Sequence, residues 1–143
     1  MKIALGADHR GFALKQRLIE VLREWGWEPL DLGGHSCESS DYPDFARPVA
    51  NAVASGEARF GVLICGTGIG MSIAANRIRG IRAARVDEPL SAIMARDHND
   101  ANVLCMGADL LGFEMAVAIL KAFIETPFSD AERHNRRVGK IEG

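Results

Sequence analysis

The chain has 143 residues, 48% of them hydrophobic, and its 17 basic and 19 acidic side chains nearly cancel to a formal net charge of -2. That length and apolar content suit a single domain, residues 1–143, with a substantial core, rather than two domains or a disordered tail. The charge balance argues against nucleic acid or an anionic membrane as the main partner, and leaves room only for a local anion site.

The opening segment, "KIALGAD", is a short apolar run that turns polar by Asp8, too soon for the apolar core of a signal peptide. No later stretch is long enough to span a bilayer, so a soluble, cytoplasmic protein is expected. From there, short apolar runs alternate with longer amphipathic ones. "FALKQRLIEVLREWG" follows the first run, with Phe12, Leu14, Leu18, Ile19, Leu22 and Trp25 on one face and Gly26 as a stop. "EPLDLG" precedes "FARPVANAVASG", where Pro48 either kinks a helix or marks its true start. "FGVLICG" leads into "GMSIAANRI", "IRAARV" into "EPLSAIMARDH", and "NVLCMG" into "FEMAVAILKAFIE". Five strand-then-helix units predict a five-stranded parallel sheet with helices on both faces, because parallel strands need helical crossovers. After Pro127 the polar, basic tail "SDAERHNRRVGKIEG" reads as an appended helix with Ser129 or Asp130 as N-cap.

Ligands of open parallel sheets bind at the carboxyl ends of the strands, near the point where strand order reverses. That rule selects Asp8 and His9 after strand one, Cys65 to Gly70 after strand three, and Asp87 and Glu88 after strand four. In "ICGTGIGM" the backbone N–H groups of Gly66, Gly68, Ile69 and Gly70 suit a phosphate or a developing oxyanion, with Thr67 as a further donor. The same field favours a thiolate at Cys65, which could then take a proton from carbon. Two other readings compete. A cysteine ending an apolar strand is commonly a small buried hydrophobe. The glycines also resemble a dinucleotide fingerprint, with Asp87 where a ribose-binding acid would stand, although Met71 occupies the third glycine's place.

Cys37, Cys65 and Cys105 are odd in number and lack CxxC spacing, which disfavours a disulfide framework or a zinc knuckle and fits free thiols in a reducing compartment. His35 and Cys37 share one loop and offer only two ligands to a metal. Asp8 reads as an N-cap or as an acceptor for substrate hydroxyls, and His9 as a turn residue or a site residue. Tyr42, in "DYPDF", begins a helix and can line a pocket nearby. His98 and Asn99, in "RDHNDAN", enter strand five and so lie at the opposite end of the sheet from Cys65. They are either surface residues or part of a neighbouring subunit's site. Arg133 and Arg137 stand four apart on the tail, which suits either a solvated basic face or a phosphate clamp.

Taken together, "GADHRGFALK", "SSDYPDFA", "ICGTGIGMSIAANR", "GIRAA", "RDHNDANVL" and "ERHNRRVGKI" closely resemble the family of type B ribose-5-phosphate isomerases, which includes galactose-6-phosphate and allose-6-phosphate isomerases. The resemblance implies a Rossmann-like α/β/α sandwich and a cofactor-free, metal-free aldose–ketose isomerase. It also implies a homodimer or dimer of dimers whose sites are shared between subunits. By position, it makes Cys65 the base that moves a proton between C2 and C1 through an enediolate. Thr67 and the loop from Gly66 to Gly70 become the anion hole, assisted by the partner's Asn99. The partner's His98 opens the sugar ring, Asp8 and Tyr42 contact sugar oxygens, and His9, Arg133 and Arg137 hold the phosphate. His134 matches a position near the reacting end, with no definite role. Met71 stands where some relatives carry a glutamate base, so the chain reads as the cysteine type. One departure bears on the substrate. Asp109, in "MGADLLG", stands where many relatives have a phosphate-reaching arginine, so it must turn away or pair with another arginine, and Arg85, at the end of strand four, is the candidate replacement for the missing one. A six-carbon aldose phosphate, or binding of a sugar phosphate or nucleotide without turnover, remain as alternatives.

Overall fold

A computed structural model describes residues 1–143. The five units of the sequence are present as β1 (Lys2–Ala7), α1 (Phe12–Glu24), β2 (Glu28–Asp31), α2 (Pro43–Ala54), β3 (Phe60–Cys65), α3 (Ile69–Ala75), β4 (Ala83–Arg85), α4 (Pro89–Asn99), β5 (Val103–Gly107) and α5 (Phe113–Glu125), followed by α6 (Glu132–Glu142). All neighbouring strands pair in parallel, in the order β2-β1-β3-β5-β4.

Side-chain alternation along the strands separates two cores. Ile3, Leu5, Val62, Ile64, Leu104 and Met106 point to one face, where they pack with Leu18 and Leu22 of α1, Ala92 of α4 and Ile119, Leu120 and Phe123 of α5. Ala4, Leu63, Cys65, Val103 and Cys105 point to the other, against Ala46, Val49 and Val53 of α2 and Met71 and Ala75 of α3. The result is a three-layer α/β/α sandwich. Each large aliphatic side chain removed from water in these layers contributes roughly 1.5–3 kcal/mol. No helix is long and apolar enough to cross a membrane.

Three local expectations are corrected. Pro48 does not mark the start of the second helix: α2 begins at Pro43, where proline costs no hydrogen bond, and Pro48 stands exposed inside it. Strand four ends at Arg85, so Asp87 lies beyond it, and Glu88 caps α4 by accepting from the N–H groups of Leu90 and Ser91. The hydrogen bond from the Ser91 hydroxyl holds the Glu88 carboxyl below the usual carboxylate range. The tail helix is preceded by Ala131 with no side-chain cap, because Ser129 and Asp130 are used otherwise. Ser129 Oγ lies 2.6 Å from His134 Nδ1, and Asp130, with φ of 57°, accepts from Asn135 Nδ2 at 2.8 Å.

Candidate active site

The chain leaves β1 in one direction to form β2 and in the other to form β3, so strand order reverses between β1 and β3. A crevice at the carboxyl ends of these two strands is the expected result. On the β1 side, Asp8 is buried, and its Oδ1 accepts from the N–H groups of Arg10 (3.0 Å) and Gly11 (3.2 Å), fixing the turn into α1. Gly11 permits that turn to lie on β3, since a Cβ there would come within 2.4 Å of the Ile64 carbonyl oxygen. Asp8 thus serves the turn, and it also lines the crevice.

On the β3 side, the loop after Cys65 is held by backbone. Cys65 Sγ accepts from the N–H of Gly68 at 3.1 Å, which orients the sulfur. Gly68 has φ of 78°, and a Cβ would meet the Met106 backbone at 2.9 Å, so only glycine fits without strain. The carbonyls of Cys65 and Gly66 accept from Ala108 and Asp109 at 2.9 and 3.0 Å, tying this loop to the one after β5. Arg85 donates from Nε to the Thr67 carbonyl at 2.7 Å and pairs with Asp87 at 2.9 Å. The Tyr42 ring covers Gly70, where a Cβ would stand 2.6 Å from Cζ. Together Asp8, Arg10, Tyr42, Cys65, Gly66, Thr67, Gly70 and Asp109 line an open cavity of about 240 Å³.

Asp109 does not turn away but is paired. Its Oδ2 accepts from Arg10 Nη1 at 2.6 Å, within its own chain's cavity. Arg10 is the member of the site that sequence reading missed. It follows Asp8 and His9 directly, yet its partner is 99 residues further on. His9 lies beside the cavity. Its backbone N–H donates to Ser40 Oγ and its Nδ1 accepts from the Ser40 N–H, so a neutral ring carries its proton on Nε2.

The remaining expected residues are elsewhere. His98 and Asn99 end α4, whose chain continues into the amino end of β5, and neither lines the Cys65 cavity. The His98 ring stacks on that of His134 from α6 with centroids 4.5 Å apart, and its Nε2 lies 3.3 Å from Asp97. Burial, reinforced by the positive charge of Arg133 and by His98, holds the His134 imidazole below its ordinary value. Arg133 and Arg137 are exposed on α6 in the same corner. Asn99 lines a different cavity of about 510 Å³ with Asn76, Arg79, Arg82 and Ile141. Cys105 is fully buried, and desolvation pushes its thiol up, out of reach of ionisation at neutral pH. Cys37 and His35 are exposed with no third ligand beside them.

The geometry is that of a thiol aligned by backbone at a strand terminus, with N–H groups and a hydroxyl around it. Similarity to known proteins extends along nearly the whole chain. The chain is 49% identical over 140 residues to ribose-5-phosphate isomerase B of Escherichia coli K12, covering 98% of this chain and 93% of that protein. Ribose-5-phosphate isomerase B of Clostridium thermocellum superposes with a TM-score of 0.97 at 47% identity, over 99% of this chain and 95% of that one. The type B enzyme of Trypanosoma brucei superposes with a TM-score of 0.96 at 49% identity, over 99% and 96%. With residues 3–141 matching the model of the Ribose/Galactose Isomerase family, the chain belongs to that family.

Proposed function

We propose that the chain interconverts ribose 5-phosphate and ribulose 5-phosphate through an enediolate. The observation that carries this reading is Cys65 Sγ, aligned by the Gly68 N–H at the switch point between β1 and β3. The similarity to enzymes named for that substrate supports it. The Cys65 thiolate removes the proton from C2 of the open-chain aldose, and electron density moves onto O1. The remaining N–H groups of the Gly66–Gly70 loop and the Thr67 hydroxyl stabilise that oxyanion, while the N–H groups of Gly68 and Ile69 hold Cys65 Sγ and Thr67 Oγ1 in place. The proton on O2 passes to O1, and the thiol returns its proton to C1, which yields the ketose. A thiol suits both steps, because both of its protonation states are accessible near working pH. The reaction is redox-neutral, and this reading calls for no metal or cofactor.

Ring opening needs a group that one chain's cavity does not supply, and phosphate binding draws on both copies. In this reading a second copy brings His98 to open the furanose, Asn99 to assist the oxyanion, and Arg133 and Arg137 to join His9 at the phosphate. Asp8 and Tyr42 contact sugar oxygens. A homodimer, or a dimer of such dimers, is supported by exposed apolar side chains on both faces of the sandwich: Ile69 and Ile73 of α3, and Leu90, Ile93 and Met94 of α4.

The test follows purified, metal-stripped protein by NMR in D₂O with ribose 5-phosphate, allose 6-phosphate and galactose 6-phosphate in separate samples. Ribulose 5-phosphate carrying deuterium at the exchanged carbon is the expected result. Turnover of a hexose phosphate alone would reassign the substrate. Thermal stabilisation by a sugar phosphate with no conversion would replace the enzyme with a binding protein.

A further inference from the structure

Arg10 is the only basic side chain lining the Cys65 cavity. Its Nη1 is held by Asp109 Oδ2 at 2.6 Å, whereas Nε and Nη2 meet no acceptor in the chain. Those two nitrogens share one edge of the guanidinium plane, the edge that takes two oxygens of a phosphate at once. The pair is also built into the loop beside the thiol. A Cβ on Gly66 would stand 2.8 Å from Asp109 Oδ2 and 2.9 Å from Arg10 Cδ, so the bare backbone at position 66 makes room for both side chains. Asp8, the other carboxylate of the cavity, is already engaged by the N–H groups of Arg10 and Gly11, which leaves Asp109 as the acceptor that directs the guanidinium.

We propose that Arg10 binds the phosphate group of the substrate within its own chain, and that Asp109 is the positioning residue that aims it. The proposal rests on the sugar-phosphate reading above. Pairing removes the conflict of a carboxylate standing near a dianion. Asp109 alone would repel a phosphate, but joined to Arg10 it leaves the free edge of the guanidinium as the surface the anion meets. Asp109 Oδ1 remains available to a sugar hydroxyl, so the pair also selects a substrate carrying both an anion and hydroxyls. Arg10 is more than half exposed, with a side-chain accessibility of 60%, so its replacement should leave folding intact.

The experiment compares the unmodified protein with Arg10→Ala and with the double variant Arg10→Ala/Asp109→Ala. It measures kcat and KM for ribose 5-phosphate and the binding of inorganic phosphate by calorimetry. Arg10→Ala should raise KM and weaken phosphate binding about tenfold or more, the ratio expected for a lost charge-assisted hydrogen bond, with a smaller loss in kcat. The double variant should recover about threefold in KM relative to Arg10→Ala, because the carboxylate left without its partner is gone. Unchanged KM and unchanged phosphate affinity in Arg10→Ala would overturn the proposal, as would a loss confined to kcat, which would place the guanidinium at the reacting carbons instead. If the unmodified protein turns over no sugar phosphate, the isomerase reading fails by itself. Calorimetry then decides Arg10 separately: weaker phosphate binding in the variant supports it, and equal binding refutes it.

Discussion

The two ends of the sheet are built differently. At the carboxyl ends, around Cys65, backbone makes the site: Gly68 donates to the sulfur, Ala108 and Asp109 donate to the loop, and Gly66, Gly68 and Gly70 are pressed against neighbours that leave no space for a Cβ. At the amino ends, where α4 stops and α6 lies across it, side chains dominate: His98 stacked on His134, Ser129 bonded to His134, and Arg133 and Arg137 on an exposed helix. The first region has an aligned thiol and a cavity lined by only one cation. The second has imidazoles and guanidinium groups but no thiol. Rigid backbone suits a proton transfer that tolerates little displacement, and mobile cationic side chains suit capture of an anion. Each region is half of what the proposed chemistry requires, and this is why a second copy enters the reading.

The comparison breaks most sharply at Cys65. Replacing it with alanine should lower kcat about a thousandfold with the far-ultraviolet spectrum unchanged. Mixing that variant with His98→Gln under subunit exchange should then restore about a quarter of the unmodified activity, since half of the dimers are mixed and each mixed dimer holds one intact site. Mixtures no more active than their components would mean that the two ends do not serve one site.

A smaller effect sharpens the claim that the first region is backbone-made. Gly68→Ala should destabilise the fold by about 1–3 kcal/mol, read from urea unfolding, because alanine must adopt a positive φ and meets the Met106 backbone. An unchanged midpoint would mean that the loop is less constrained than its contacts imply.

The weakest effect belongs to the other end. His134 has its folded-state value lowered, so the unfolded chain binds the proton more tightly. Stability from this group is present above the ordinary imidazole range near 6.5 and is lost as pH falls through that value towards the folded one. The melting temperature should therefore fall more between pH 7 and 5.5 in the unmodified protein than in His134→Gln. Equal losses would show that His134 contributes nothing to the acid dependence.

Sequence reading found the sheet because strand and helix periods alternate cleanly five times, and each amphipathic helix carries its own stop. It failed where structure depends on side-chain partners rather than on period. Ser129 has the composition of an N-cap but is drawn to His134, and Glu88 was placed in a site although it caps α4. Asp109 was legible as an anomaly. Its resolution was not, because Arg10 and Asp109 become neighbours only after β1 and β5 flank β3 in the sheet, and Arg85 is occupied by Thr67 and Asp87. The separation of His98 and Asn99 from Cys65 could be read from the element count alone, since one end of each strand faces each way.

The glycine packing around Cys65 also bears on how such a site can change. Gly11, Gly68 and Gly107 each lie so close to the backbone of another segment that any side chain would collide with it. Random substitution there is filtered out by folding before it can alter catalysis. Variation is tolerated at the rim, where Arg10, Tyr42 and Asp109 are solvent-facing and rest on little besides one another and the loop. Adaptation to a new sugar would thus proceed by exchanging rim side chains in matched pairs, over a floor that selection for a folded chain holds fixed.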